Sequence, residues 1–171
     1  MRYAIVYSSK TGNTALLAHR IQSVLGANDC VYSGPPDGRP PEAELFFVGF
    51  WTDKGDCDAA IDHFLSLLAS KRVFLFGTAG FGGSPDYFEQ ILARVQAHLP
   101  KDAVLAGSFM CQGKMPPSVR ERYEALLAAH PEDKRFQMLL ENYDAARIHP
   151  NDVDLLRLDA ALRGASLHEK G

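Results

Sequence analysis

The sequence predicts an α/β protein in which a doubly wound parallel sheet is covered by helices on both faces. Short apolar runs that do not alternate with polar residues recur along the chain, the clearest at residues 45–48 and 73–76, and such runs are typical of buried parallel strands. Segments with apolar residues at helical spacing lie between them. Strands that alternate with helices imply right-handed crossovers. With 171 residues the chain can form one buried core, so we predict a single domain over residues 1–163.

The elements follow one another with recognisable boundaries. Strands are predicted at residues 2–7, 30–32, 45–50, 73–76 and 104–110, and helices at residues 15–25, 59–69, 86–99, 118–129, 133–147 and 151–163. Gly26 is expected to stop the first helix. Ser84 is a good N-cap and Pro85 fits the first helical position. Asn151 and Asp154 form a possible capping pair for the last helix.

Three helical segments follow the fifth strand, although one is enough to close the fold. We assign residues 151–163 to the closing helix beside the first strand. Residues 118–147 are then a helical insertion, which either covers a sheet edge or core, or forms part of a docking surface. Residues 164–171 are expected to be a frayed tail.

A hydroxyl-rich loop follows the first strand and is the most informative motif in the chain. Ser9, Thr11 and Thr14 offer hydroxyl donors, and Gly12 lets the backbone approach an anion closely. The helix that begins at Asn13 or Thr14 has free N–H groups with partial positive charge. We predict that the loop binds one phosphate group without needing a cationic side chain, through Ser8, Ser9, Lys10, Thr11, Gly12, Asn13 and Thr14.

The alternative interpretation of this loop is a simple turn with a helix cap. Two other phosphate motifs are excluded by the sequence, because no G-x-x-x-x-G-K-[ST] and no G-x-G-x-x-G opens the first helix. A nucleoside triphosphate and a dinucleotide are therefore poor candidates for the ligand.

The residues around the loop extend the pattern. Ile5-Val6-Tyr7 precedes it, and Ala18 and Ile21 follow it. Together these positions resemble the flavin mononucleotide (FMN) phosphate loop of the flavodoxin family. The resemblance covers residues 1–112 and the final helix, and it implies a five-stranded sheet in the order 2-1-3-4-5, FMN as the cofactor, and transfer of single electrons to a redox partner protein.

The resemblance also places the isoalloxazine ring across the loops that follow the third and fourth strands. The implied ring contacts are Phe50, Trp51, Thr52, Gly77, Thr78, Ala79, Gly80, Phe81 and Gly82. Trp51 is the first candidate for stacking and Phe81 the second, with a core tryptophan and a mobile glycine loop as the alternatives. Gly49 or Gly55 is a candidate for a peptide rotation next to the ring, and residues 111–114 are expected to touch the ring edge.

Composition excludes several other functions. The chain has 18 Lys+Arg and 21 Asp+Glu, with no basic stripe of the kind that binds nucleic acid. It has no membrane-length apolar run and no secretory signal, so we expect a cytoplasmic protein without a membrane partner. The spacings of Cys30, Cys57 and Cys111 match neither a disulfide framework nor a zinc site. The histidines form no H-x-x-x-H pair and are expected at surface or capping positions, so no metal ligand is predicted: His19, His63, His98, His130, His149 and His168.

These observations favour an electron carrier that has no catalytic residues and delivers electrons to a reductase or an electron-accepting enzyme. An FMN-dependent quinone or small-molecule reductase, with the insertion building a pocket over the ring, is the alternative, and a binding module that kept only the fold is a third possibility. The chain is less acidic than flavodoxins, which favours a dedicated partner over a generic basic one. Nearby carboxylates (Asp53, Asp56, Asp58) and lysines (Lys54, Lys114) would shift the flavin potential in opposite directions, so the sign of their net effect stays open.

Overall fold

The computed structural model describes residues 1–167. Its five strands are β1 (Tyr3–Tyr7), β2 (Cys30–Gly34), β3 (Leu45–Trp51), β4 (Arg72–Ala79) and β5 (Val104–Gln112). They form one sheet in the order β2-β1-β3-β4-β5 with all neighbours parallel, as predicted. The main difference is length, because β3, β4 and β5 continue past their predicted ends to residues 51, 79 and 112.

Six α-helices complete the fold. They are α1 (Asn13–Leu25), α2 (Ala59–Ser66), α3 (Pro85–Gln96), α4 (Pro117–Ala129), α5 (Lys134–Ala146) and α6 (Asp152–Gly164). The predicted boundaries of three helices are confirmed by their caps. Gly26 ends α1 with φ 87°, the Ser84 hydroxyl accepts from the Tyr87 N–H at the start of α3, and Asn151 and Asp154 form a complete capping box.

Apolar side chains of the sheet point alternately to two cores, one on each face. On one face Phe46, Val48 and Leu75 pack with side chains of α2 and α3 such as Ile61 and Ile91. On the other face, the sheet side chains pack with α1 and α6 through Ile5, Phe47, Phe74, Leu17, Ile21, Leu158 and Leu162. Strands buried on both faces explain why these segments read as continuous apolar runs.

Two glycines inside the central strands leave room for aromatic rings. A Cβ on Gly49 would lie 2.3 Å from Cζ of Phe76, and a Cβ on Gly77 would lie 2.4 Å from Cζ of Phe50. Gly49 is therefore a packing residue within β3. Its predicted role in a peptide rotation beside the cofactor is wrong for this reason, and Gly55 is left as the candidate.

The closing helix α6 packs mainly against α1 and β5, whereas the sequence analysis placed it beside the first strand. Arg20 of α1 and Asp159 of α6 form a two-pronged ion pair that joins the helices. Gly164 is the last residue of α6, and the Ser166 N–H donates to the Ala106 carbonyl at 3.0 Å. The predicted tail is thus attached to β5 through residue 166, and residues 168–171, with His168, lie outside the described residues.

The insertion forms a helical hairpin in which α4 and α5 pack chiefly on each other. No residue of α4 is buried, whereas α5 buries Tyr143 and Ala146. Its contacts reach the loop after β4 and the end of β5, because Asn142 donates to the Gly80 carbonyl and accepts from Nε2 of Gln112. Within residues 1–167, none of the helices is long and apolar enough to span a bilayer.

Candidate functional site

The carboxyl ends of three neighbouring strands bring the predicted loops together. Tyr7 at the end of β1 pairs with Gly49, and Trp51 at the end of β3 pairs with Thr78. Pairing extends one residue further, because the Ser8 N–H donates to the Gly49 carbonyl at 3.1 Å and the Thr52 N–H donates to the Thr78 carbonyl at 2.9 Å. The loops after β1, β3 and β4 therefore form one continuous edge, where ligands of such sheets bind.

The loop between β1 and α1 presents a run of free backbone amides. Gly12 has φ 88° and directly precedes α1, whose N-terminus has no side-chain cap from that residue. The Ser9 hydroxyl accepts from the Ala15 N–H at 3.2 Å. Among the described residues, the N–H groups of residues 10–14 donate to no acceptor. Amides at a helix N-terminus that point to solvent form a binding site for an anion.

The hydroxyl groups of this loop have different partners. Thr14 is 1% exposed, and its Oγ1 lies 3.2 Å from the Phe50 carbonyl and 3.1 Å from Oγ1 of Thr78. This hydroxyl ties α1 to the ends of β3 and β4, and its predicted role as a phosphate donor stays a prediction. Ser8 donates to the carboxylate of Asp58. Partly buried Thr11 lines the cleft beside the loop, and its hydroxyl makes no hydrogen bond within the described part of the chain.

The two remaining loop residues also have defined positions. Asn13 is 8% exposed and donates from Nδ2 to the Lys114 carbonyl at 2.9 Å, which joins the loop to the end of β5. The Lys10 ammonium lies 5.0 Å from the centre of the Trp51 ring, within reach of a cation–π interaction. An isoalloxazine ring that stacked on this face of Trp51 would replace Lys10.

The loops after β3 and β4 supply fewer ring contacts than predicted. Phe50 is 0% exposed and belongs to the core that faces α2 and α3, so its side chain cannot touch a ligand at the sheet edge. Buried Gly77 packs on that same ring, and the side chains of Thr78 and Ala79 are also buried. The side chains of these four residues therefore face the core, and only their backbone groups could contact a ligand at the edge, so their assignment to the cofactor site stays a prediction.

Two aromatic rings remain accessible at this edge. Trp51 is half-buried, and Phe81 is 52% exposed. The Phe81 ring packs edge-on against Tyr87, with centroids 6.3 Å apart. Thr52 also lies at the edge, and its hydroxyl donates to the Thr78 carbonyl at 2.9 Å. Both predicted stacking residues are therefore placed where a planar ring could reach them.

A tight turn follows Trp51. Asp53 and Asp56 exchange backbone hydrogen bonds of 2.8 and 3.0 Å, and the two residues between them have positive φ, 50° at Lys54 and 82° at Gly55. Such dihedral angles are typical of a type I′ turn. The Gly55 carbonyl accepts from Nη1 of Arg94 at 3.3 Å.

Asn142 of the insertion holds the loop after β4, and the sequence analysis did not identify it. Its Nδ2 donates to the Gly80 carbonyl at 2.9 Å, and its Oδ1 accepts from the Gly82 N–H at 3.1 Å. Gln112 at the end of β5 donates to Gly80 and Asn142 as well. One amide side chain thus fixes both sides of Phe81. No sequence signal marks Asn142, since it is an isolated polar residue 60 positions beyond Gly82.

The acidic residues near the edge are already engaged. Asp58 caps α2 by accepting from the Ile61 N–H at 3.0 Å. Asp56 faces His98 and accepts from the Cys57 N–H at 2.7 Å. Although burial favours protonation of Asp56, the bonds from Cys57 and His98 outweigh it and lower its pKa. We expected every histidine at a surface or capping position. His98 differs, because it is half-buried and paired with two carboxylates.

The pKa values of the two cysteine thiols near the edge are raised, which favours their protonated forms. Burial, followed by the charge of Asp56, raises the pKa of Cys57 to about 12. Burial also raises the pKa of Cys111, which lies inside β5 and is 4% exposed. A thiol in this state is a poor nucleophile. Neither residue therefore offers covalent chemistry at the sheet edge.

The clefts at the edge include three beside the loops after β1, β3 and β4, and a smaller one of about 110 Å³ beside Gly83 and Gln112 that includes Asp154. One of about 290 Å³ lies beside the β1–α1 loop and includes Lys114 and Arg147. One of about 370 Å³ lies between the loops after β3 and β4 and includes Lys54 and Arg94. The largest, about 610 Å³, lies between the loop after β4 and helix α5, and its walls are mostly apolar: Phe81, Gly82, Arg135, Phe136, Met138, Leu139 and Asn142.

Comparison with known proteins agrees with this geometry. A family model described as a flavodoxin domain matches residues 4–163. The chain is 43% identical to a flavodoxin-like domain-containing protein BilS from Clostridium symbiosum (strain WAL-14163), with 91% of this chain and 90% of that protein covered. It is 29% identical to a protein of the same description from Clostridioides difficile (strain CD3), with the same coverage.

A solved structure of similar fold is a short-chain flavodoxin associated with a bacterial microcompartment. It is 16% identical, with 85% of this chain and 97% of that chain covered and a TM-score of 0.51. At this identity the similarity concerns the fold alone.

Proposed function

Because the chain belongs to the flavodoxin domain family, we propose that it binds FMN noncovalently at the sheet edge and carries electrons to a separate redox protein. The observation that carries this proposal is the run of free amides at residues 10–14 beside Gly12, whose φ is 88°. This donor set fits a phosphate dianion, since it combines amide N–H groups with the partial positive charge of a helix N-terminus. Bound FMN would supply one-electron and two-electron chemistry.

The residues around the loop would hold the rest of the cofactor. The hydroxyl of Thr11 would add a donor to the phosphate group. Trp51 and Phe81 would contact the faces or edge of the flavin ring, since the half-buried Trp51 and the exposed Phe81 are the accessible aromatic side chains of the two adjoining loops. The bond network of Asn142 and Gln112 would keep Gly80 and Gly82 in place against the ring.

The test is a comparison of FMN with riboflavin, which lacks the phosphate. Protein purified from cells should be yellow. When flavin-free protein is titrated with FMN, the fluorescence of the flavin should be quenched. We expect riboflavin to bind at least tenfold more weakly, because charge-assisted hydrogen bonds to the phosphate are lost. A protein that binds neither flavin, or both equally, contradicts the proposed phosphate site.

The apolar cleft beside Phe81 favours a second candidate, an FMN-dependent reductase. Its volume of about 610 Å³ and its walls, which include Phe136 and Leu139, suit a small apolar substrate such as a quinone. A carrier should show two separated one-electron potentials and little turnover of quinones with NAD(P)H. Rapid turnover that Phe136→Ala abolishes, without loss of FMN affinity, would favour the reductase instead.

The charges around the edge support a partner with an acidic surface. Lys54, Arg94, Lys114, Arg135 and Arg147 are exposed and line the three larger clefts, and no carboxylate lines any of these three. Arg135 and Arg147 have acidic neighbours, Asp133 and Asp144. Lys54, Arg94 and Lys114 have no carboxylate within ion-pair distance in residues 1–167. A rim of uncompensated cations around exposed Phe81 favours docking of an oppositely charged protein.

A further inference from the structure

Three potential metal-binding side chains meet behind the turn that follows β3. Asp56 and Cys57 end that turn, and His98 comes from the segment after α3. A carboxylate oxygen, Sγ and a ring nitrogen of these residues all lie within 4.8 Å of one another. Nε2 of His98 is 3.0 Å from both carboxylate oxygens of Asp56. All three residues are partly buried, so the cluster is neither a solvated acidic patch nor a lone cysteine.

A fourth residue orients the histidine. Oδ1 of Asp62, on helix α2, lies 2.9 Å from Nδ1 of His98. A histidine that binds a metal usually directs its other ring nitrogen to a carboxylate, which fixes the ring and raises the basicity of the ligating nitrogen. In this cluster Nε2 faces the Asp56 carboxylate, while Nδ1 faces Asp62. The arrangement therefore has both an inner set of ligands and an outer partner.

We propose that Asp56, Cys57 and His98 form a binding site for a thiophilic divalent cation such as Zn²⁺, with Asp62 as the outer partner of His98. One oxygen, one sulfur and one nitrogen are ligands that zinc accepts at about 2.0 to 2.3 Å, and water would fill the fourth position. The sequence gives no C-x-x-C or H-x-x-x-H signal for this site, because its ligands come together only in the fold.

Binding replaces protons with the cation. The Cys57 thiol releases its proton to solvent and becomes the thiolate ligand, and His98 binds the cation as a neutral imidazole. The two nearby carboxylates, Asp56 and Asp62, provide a negative potential that attracts a dication. The bound cation would join the turn after β3 to the end of α3. The site does not depend on the proposed flavin function.

The experiment titrates metal-free protein with Zn²⁺ against a chromophoric chelator and, separately, with Co²⁺. We expect one bound ion per chain and, with Co²⁺, the near-ultraviolet charge-transfer band of a thiolate ligand. Cys57→Ala and His98→Gln should remove both signals. Asp62→Asn should weaken Zn²⁺ affinity by about 10-fold to 100-fold while the band stays, as expected for an outer partner.

Matched controls are available in the same chain. Cys30→Ala removes another partly exposed thiol, and His63→Gln removes an exposed histidine on the helix that carries Asp62. Both variants should bind as the wild type does. The proposal is overturned if the wild type binds no ion in competition with the chelator, if the cobalt band is missing, or if Cys57→Ala retains full affinity. Circular dichroism of each variant confirms that a lost signal does not reflect unfolding.

Discussion

At the scale of single residues, two threonines three positions apart in one loop have different roles. Thr14 is buried and its hydroxyl bonds to the Phe50 carbonyl and the Thr78 hydroxyl, whereas the Thr11 hydroxyl is free for a ligand. We expect Thr14→Val to lower the free energy of unfolding by about 1–3 kcal/mol, because it leaves buried polar groups without a partner.

Thr11→Val is the matched variant. It should leave the free energy of unfolding unchanged and weaken FMN binding severalfold, because it removes a donor to the phosphate group. Urea denaturation and FMN fluorescence titration of both proteins measure the two effects separately. Equal losses of stability in the two variants would show that the assigned roles are mistaken.

Gly77 shows how packing restricts a residue near the site. Its missing side chain makes room for the Phe50 ring, since a Cβ would approach Cζ of that ring to 2.4 Å. We expect Gly77→Ala to destabilise the protein by about 1–3 kcal/mol through overpacking. At Gly83 a Cβ would meet Oε1 of Gln112 at an ordinary 3.5 Å. Gly83→Ala should therefore change stability by less than about 0.5 kcal/mol in thermal denaturation.

The sequence predicts that the loops after β3 and β4 meet at one edge of the sheet, but it does not predict the direction of each side chain. Phe50 and Gly77 were predicted to contact the cofactor because they adjoin the two loops. In the structure β3 and β4 continue to residues 51 and 79. Since side chains alternate along a strand, an error of one to three residues at a strand end decides whether a side chain faces the core.

At the scale of elements, the hairpin of α4 and α5 is attached to the site by Asn142. Its amide bonds to Gly80 and Gly82 on either side of Phe81. We expect Asn142→Leu to free this loop and to accelerate hydrogen exchange of the Gly82 N–H about tenfold or more, since a lost hydrogen bond of this type is worth about 1–2 kcal/mol. Asn142→Asp keeps the acceptor for Gly82 and should give an intermediate rate. If the exchange rate of the Gly82 N–H is unchanged in both variants, Asn142 does not hold the loop after β4.

This attachment was beyond sequence reasoning. The alternation of strands and helices predicts the sheet, because periodicity and caps are local signals. Asn142 and the loop that it holds are 60 positions apart, and contacts over such distances leave no trace in one sequence. For the same reason, Asp56, Cys57 and His98 became visible as a cluster only in the fold.

The ion pair between α1 and α6 gives stability a dependence on pH. Hydrogen bonds from Arg20 lower the pKa of Asp159, although burial opposes this effect. A carboxylate with a lowered pKa stabilises the fold above the ordinary carboxyl pKa of about 4, and this contribution is lost as the pH falls through the pKa of the folded state. We expect Arg20→Met to lower the free energy of unfolding at pH 7, because it leaves Asp159 without its cationic partner. This loss should shrink in acid, when unfolding by urea is compared at pH 7 and near pH 3. If the loss of unfolding free energy in Arg20→Met does not change with pH, the loss comes from packing and not from the ion pair.

At the scale of the whole molecule, the net charge and the charge of the proposed docking face have opposite signs. The chain has a formal charge of −3. The three larger clefts around the site are nevertheless lined by Lys54, Arg94, Lys114, Arg135 and Arg147, without a carboxylate. Charges close to an interface act within about 10 Å at 0.1 M salt. The local cations should therefore decide which protein docks.

This separation predicts the sign of the salt effect on binding. An acidic [2Fe–2S] ferredoxin should bind more tightly than basic cytochrome c at low salt, and its affinity should fall about tenfold when NaCl rises from about 20 to about 200 mM. Lys54→Glu combined with Lys114→Glu should weaken ferredoxin binding at low salt, because neither lysine has a carboxylate partner within residues 1–167. Lys101→Glu alters an exposed lysine between α3 and β5, at the opposite edge of the sheet, and should have little effect. Calorimetric titration can measure all of these affinities with or without bound flavin. If the protein prefers cytochrome c, its net charge governs docking. If Lys101→Glu weakens binding as much as the double variant does, docking does not depend on the face that carries Lys54 and Lys114.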